Sequence, residues 1–275
     1  MTILVTGATG TIGGQVVVHL AEAGHPVRAL TRRPAAADLP AGVEVVEGDL
    51  ARPDSVGPAL EGATALHLIS LAGDDYRPLT TAPEILEAAA RAGVKRITVL
   101  TGTDEELATS RAVEASGLDW THVRPAVEYM ANRLQWADAV RRDGVVRDGF
   151  VARRDAMVHE ADVGAVIATA LTEGGHAGRT YAPTGPEAIT RLDAALIIGE
   201  VTGRPVRLDE ITEAEVRADL LAQGLEPSAV DFVVSYEAAP PAAASTVTSV
   251  VADVTGRPPR SFRDWVAEHA DAFGG

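Results

Sequence analysis

Apolar and polar positions along the chain alternate between a period of two and a period near 3.6. Thr2-Ile3-Leu4-Val5 is a β-branched run of strand length that passes straight into a glycine-rich turn, and beyond the turn Val17, Leu20 and Ala21 recur on one helical face. A first strand and a helix from about Gly13 to Ala23 are therefore predicted, the helix stopped by Gly24-His25-Pro26. Val27–Leu30 reads as a second strand, Val43–Glu47 alternates as a third, and a short helix falls around Pro53 to Leu60. Ala65–Ser70 is an apolar fourth strand, with His67 inside it as a core histidine. A helix from Pro83 to Ala92 has Pro83 and Glu84 in its first turn and Gly93 just past its end, and Arg96–Leu100 is a fifth strand. Strands that alternate with helices in this way predict an α/β fold: a doubly wound, Rossmann-like parallel sheet with right-handed crossovers.

The pattern changes after a further helix from about Asp104 to Ser116. A helix from Asp162 to Leu171 and a short strand near Arg179 to Ala182 complete the core. Thr190 with Asp193, Thr212 with Glu215 and Ser261 with Asp264 are then spaced as capping boxes, so a small, mostly helical C-terminal lobe is expected. Glu237–Ala244, with paired prolines among small residues, is predicted to be a mobile connector. The expected organisation is one structural unit, 1–275, with a nucleotide-binding core of 1–127 plus 160–185 and a substrate-side lobe of 128–159 plus 186–275.

The turn after the first strand carries candidate chemistry. Gly7, Gly10 and Gly13 are spaced GxxGxxG: the first permits a tight turn, the second lets backbone approach a pyrophosphate, and the third lets the helix lie against the sheet. Thr9, Thr11 and Ile12 complete that turn, and the helix N-terminus presents N–H groups and a positive dipole end to phosphate. At the end of the second strand, where an NAD site places a carboxylate for the ribose 2′-hydroxyl, stand Arg32 and Arg33. Two guanidiniums suit a 2′-phosphate, so NADP(H) is expected over NAD(H); the alternative is a solvated arginine pair. Asp49 and Leu50 suit the adenine amino group and its face, while Asp49 equally suits a turn cap. Ser70 and Thr101 with Gly102 offer hydroxyls and backbone for the nicotinamide end.

Composition narrows the classes. The formal charge of −15 argues against a nucleic-acid partner, and the absence of cysteine excludes disulfides, thiolate catalysis and sulfur-ligated zinc. His159-Glu160-Ala161-Asp162-Val163 lacks the second histidine of HExxH, so no metal is expected. No apolar run approaches a membrane span and no leader pattern opens the chain, which predicts a cytoplasmic protein with a small-molecule substrate. No oligomeric state follows.

The opening GATGxxG and Ser116-Gly117-Leu118-Asp119-Trp120-Thr121-His122-Val123-Arg124-Pro125 together resemble the NmrA-like branch of the atypical short-chain dehydrogenase/reductase family. Tyr129-Met130-Ala131-Asn132, the Asp162-Val163 helix start and Thr184-Gly185-Pro186-Glu187 resemble further signatures of that branch. The resemblance implies a Rossmann-like core binding NADP(H), and places Tyr129 as an aromatic whose hydroxyl lines the nicotinamide pocket, Tyr129 being equally consistent with a core tyrosine. Some members reduce quinones or related carbonyls; others are non-catalytic redox sensors. The TyrxxxLys pair of ordinary short-chain dehydrogenases is missing: four residues beyond Tyr76, Tyr129, Tyr181 and Tyr236 stand Thr80, Arg133, Gly185 and Pro240, and Lys95 is the sole lysine among 24 basic residues. Isoflavone-reductase-like relatives carry a lysine in the helix after the fifth strand, where this chain has Arg111. The expectation is an NADPH-dependent oxidoreductase that passes hydride to a small electron-poor quinone, enone or ketone. The alternative is an NADP(H)-binding sensor.

Overall fold

The computed structural model describes residues 2–73, 77–102 and 107–275; Tyr76, Thr103 and the helix start expected at Asp104 lie outside these. Two compact units divide the chain. The first comprises Met1–Pro125, Glu160–Pro183 and Ser249–Arg257, the second Ala126–His159, Thr184–Thr248 and Pro258–Gly275.

The first unit is built on seven parallel strands: β1 (Thr2–Val5), β2 (Val27–Thr31), β3 (Glu44–Glu47), β4 (Ala63–Ile69), β5 (Arg96–Leu100), β6 (Asp119–Val123) and β7 (Arg179–Tyr181). Their order is β7-β6-β5-β4-β1-β2-β3, so the chain runs outward from β1 in both directions and reverses between β1 and β4. That reversal is the switch point at which open α/β sheets leave a crevice beyond their strand ends. Near-continuous apolar strands fit a sheet covered by helices on its faces. Ile85, Leu86 and Ala89 of the helix Ala82–Ala92 belong to the same buried cluster as Leu66, Leu68, Ile97 and Val99. Burying side chains the size of Ile85 and Leu86 contributes about 1.5–3 kcal/mol each.

β6 was not evident as a strand in the sequence. Asp119 and His122 interrupt its apolar character, yet β5 and β7 pair with both of its edges, and Thr121, His122 and Val123 are all buried. His67 is the core histidine that an apolar strand implies. Its Nδ1 lies 2.9 Å from Thr98 Oγ1, and burial pushes the imidazole down to about 3, so it stays neutral.

The second unit holds the helices Ala137–Asp143, Arg191–Thr202, Glu213–Ala222, Pro227–Ala238 and Phe262–Glu268. Its core gathers Trp136, Val140, Ile198, Phe262, Trp265 and Phe273. All three expected capping boxes are present: Thr190 with Asp193, Thr212 with Glu215, and Ser261 with Asp264 each exchange both hydrogen bonds. The expected connector at Glu237–Ala244 is a correction. Glu237 ends a helix and reaches Arg153 at 2.6 Å and Arg191 at 2.7 Å, while the buried Ala244 accepts a hydrogen bond from the Ala156 amide. No local pattern reveals partners so distant in sequence. Among the described residues, no helix is long and apolar enough to cross a membrane.

Candidate functional site

Parallel strands bring the residues that follow them to one edge of the sheet. Gly7 to Gly10 follow β1, Arg32 and Arg33 follow β2, Ser70 follows β4 and Thr101 follows β5. The turn at β1 is fixed from beneath: Thr6 is buried, its amide donates to the His67 carbonyl at 3.0 Å, and its hydroxyl accepts from the Ile69 amide at 3.0 Å. Gly7 then takes φ +61°, the left-handed conformation that glycine adopts at least cost. The Gly10 amide donates back to the Gly7 carbonyl at 2.9 Å, closing the turn.

The helix Thr11–Glu22 starts two residues earlier than the periodicity suggests. Its N-cap is Gly10, with no side-chain capping bond and no acid in the first turn. The helix ladder begins with the Gly14 amide donating to Gly10 at 2.8 Å, so the amides of Thr11, Ile12 and Gly13 precede it and point out of the helix end. A Cβ on Gly13 would lie 2.1 Å from the Gly7 carbonyl oxygen, so only glycine lets the helix seat this deeply on the turn. Uncapped amides, a dipole end and exposed residues at Thr9, Gly10 and Thr11 make a cradle that fits a pyrophosphate.

Arg32 and Arg33 are exposed at the end of β2, where the Arg33 amide donates to Thr31 Oγ1 at 3.2 Å. Asp49 is occupied locally. Its carboxylate accepts from the Ala51 amide at 3.0 Å and from Arg52 Nε at 3.3 Å, the turn-cap arrangement that was the second reading of this residue. Leu50 is buried in the apolar cluster, and its carbonyl accepts from Thr81 Oγ1. Ser70 Oγ donates to the Leu100 carbonyl at 2.7 Å, tying β4 to β5 at the same edge, and the buried Thr101 donates its amide to Val123 at 3.1 Å. Gly102 is exposed.

Tyr129 belongs to the second unit. It is half-buried and forms a parallel bridge with Val158, whose amide donates to Glu128 and whose carbonyl accepts from Met130. The neighbouring Glu128 anchors a buried charge cluster that the sequence did not reveal. Its carboxylate meets Arg133 at 2.7 Å, Arg153 at 3.0 Å and Arg191 at 3.6 Å, and Arg153 also meets Asp155 at 2.9 Å. Burial pushes the Glu128 carboxyl up, but the three guanidinium charges more than reverse this and hold it below its usual value. Asp155 moves the other way, pushed up to about 6 by burial and then by the charge of Glu128. The crevice among these groups has no room for a water molecule, and the charges pair with one another.

Comparison with known proteins agrees with this geometry. The sequence model of the NAD(P)H-binding family matches residues 7–174, from the glycine turn through the helix Glu160–Thr172. A (4-alkanoyl-5-oxo-2,5-dihydrofuran-3-yl)methyl phosphate reductase of Streptomyces griseus is 40% identical over 98% of this chain and 99% of its own length. The NAD(P)H azoreductase of Xenophilus azovorans is 35% identical over 99% of both chains. Among solved structures, an NADPH-dependent quinone oxidoreductase of Escherichia coli in complex with NADPH superposes with a TM-score of 0.80 at 25% identity, over 98% of this chain and 99% of that one. The chain therefore belongs to the NAD(P)H-binding family, among the NmrA-like, atypical short-chain dehydrogenase/reductases with Rossmann-like sheets that its motifs resemble.

Proposed function

We propose that the protein is a cytoplasmic NADPH-dependent reductase that transfers hydride to a small electron-poor acceptor: a conjugated lactone, enone or quinone. The observation that carries this reading is the glycine cradle at β1 with two arginines, and no acid, at the end of β2. The names of the relatives support the acceptor class, since a butenolide phosphate, an azo compound and a quinone are all conjugated and readily reduced. Cofactor binding falls to the first unit and acceptor selection to the second.

NADPH, when bound, supplies the hydride. The amides of Thr11, Ile12 and Gly13 would hold its pyrophosphate, with Gly7, Gly10 and Thr9 shaping the turn. Arg32 and Arg33 would hold the 2′-phosphate; Asp49 and Leu50 border the adenine side; Ser70, Thr101 and Gly102 line the sheet edge toward the nicotinamide. A conjugated acceptor spreads the incoming charge over its own π-system, so positioning does more here than enforced protonation, and solvent can deliver the proton. Oxidation of NADPH, followed by absorbance with a panel of quinones, butenolides and unactivated ketones, tests the reading. Equal, tight binding of both redox forms with no turnover on any acceptor would favour a sensor instead.

Cofactor choice gives a sharper expectation. Alanine at both Arg32 and Arg33 should weaken NADPH far more than NADH, because charged hydrogen bonds contribute about 1.5–3 kcal/mol each, or roughly tenfold to a hundredfold per contact. Wild-type protein that binds NADH as tightly as NADPH would refute the assignment.

Tyr129→Phe removes only a hydroxyl and is expected to lower kcat by less than about a hundredfold, the low end of general-acid contributions. Tyr129→Ala should do more harm, since it also removes a ring that shapes the acceptor side. Steady-state rates with one quinone and one ketone decide the matter. A collapse of Tyr129→Phe by about ten-thousandfold would identify the phenol as an activated acid.

A further inference from the structure

The helix Thr11–Glu22 is held from two sides by contacts at which any added Cβ would collide. On the turn side stands Gly13, as described above. On the other side, Gly164 in the helix Glu160–Thr172 lies against the backbone just beyond: a Cβ there would sit 2.6 Å from Gln15 Cβ, 2.9 Å from the Gln15 carbonyl carbon and 3.1 Å from the Val16 nitrogen. Two of those three atoms are main chain, so a rotamer change cannot relieve the clash. A second tie joins the same pair of helices, with His19 Nε2 donating to the Ala161 carbonyl at 2.8 Å. The bracing helix is itself immobilised. Val163, Val166 and Ile167 are completely buried, and Arg96 Nη1 donates to the Leu171 carbonyl at 2.8 Å.

A glycine inside a helix is conformationally unfavourable, and Gly164 occupies a position where only glycine fits. We infer that Gly164 is a positioning residue for the dinucleotide. By letting the bracing helix touch the main chain at Gln15–Val16, it sets the depth at which the amides of Thr11, Ile12 and Gly13 face the pyrophosphate. This rests on the dinucleotide reading of the turn. Restoring ordinary contact around a new Cβ requires the phosphate helix to shift by roughly 1 Å, enough to carry an amide out of the roughly 2.7–3.2 Å range of a hydrogen bond to the pyrophosphate.

The experiment compares NADPH dissociation constants, by calorimetry, with melting temperatures for Gly164→Ala, His19→Ala and a control, Ile85→Val, which trims a buried side chain of the first unit in a cluster that includes no residue of either helix. Gly164→Ala should raise Kd by about tenfold or more, and His19→Ala by about threefold. Ile85→Val should lower the melting temperature and leave Kd unchanged. A Kd for Gly164→Ala no higher than that of Ile85→Val overturns the inference, because a purely structural role would treat the two alike. Should Gly164→Ala fail to fold, His19→Ala decides, and an unchanged Kd in that variant overturns the brace. Gly10→Val on the same instrument separates the two levels: undiminished binding there sinks the phosphate-turn reading, whereas abolished binding with a normal Gly164→Ala sinks the brace alone.

Discussion

Gly10→Val is expected to abolish NADPH binding in a chain that still folds. Gly10 sits at φ −91° and ψ 173°, extended backbone open to any residue, and its side is exposed. A Cβ there would approach the Gly7 carbonyl at 3.2 Å, a tight contact that a few tenths of an ångström relieve. The fold is therefore spared, while two methyl groups stand over the amides that would receive the pyrophosphate. Losing two charged hydrogen bonds at about 1.5–3 kcal/mol each weakens binding by roughly a hundredfold to ten-thousandfold, beyond the reach of ordinary titration. Gly13→Ala makes an instructive contrast. Its Cβ would be 2.1 Å from the same oxygen, so that variant should lose structure as well as ligand. Calorimetry and circular dichroism on one sample test the pair, and undiminished binding by Gly10→Val would show that phosphate does not lie on this turn.

The turn could be read in advance because everything that signals it lies within the first twenty-one residues: a β-branched strand, three glycines at fixed spacing and a helix face. Capping boxes are equally local, which is why Thr190, Thr212 and Ser261 could be placed from sequence. What escaped depends on distance along the chain. Asp119–Val123 becomes a strand because β5 and β7 pair with both of its edges, a fact that its own mixed polarity conceals. Glu237 looked like the start of a loose connector because the groups that hold it, Arg153 and Arg191, lie 84 and 46 residues away. Gly164 has the same character: a mid-helix glycine is uninformative until the helix it touches is known. Asp49 shows the converse case, in which two local readings are compatible: its carboxylate makes the turn-cap hydrogen bonds, and it borders the proposed adenine side.

The second large effect belongs to that hidden cluster. Glu128→Ala should destabilise the second unit by about 3–5 kcal/mol, the usual result of stranding a buried charge, and a substantial share of the ~5–15 kcal/mol that holds a typical domain together. Arg133 makes this so: its side chain is 2% exposed, and among the described residues the Glu128 carboxylate at 2.7 Å is the carboxylate it meets. Arg153 and Arg191 suffer less, since Glu237 contacts both and Asp155 and Asp148 remain with one each. Glu128→Leu combined with Arg133→Met should recover most of the loss, because replacing a buried pair by apolar groups removes two desolvation penalties together. The sign of the pH dependence follows from the depressed Glu128 carboxyl. Its stabilisation is complete above its usual 4.5 and is lost as the pH falls through the lower folded value, so wild type and Glu128→Ala should converge in acid and diverge toward neutrality. Urea unfolding of the single and double variants at pH 7 and at acid pH measures both effects. A penalty below about 1 kcal/mol for Glu128→Ala at pH 7, the range of a solvated surface pair, would show that water reaches Arg133 and that the cluster anchors nothing.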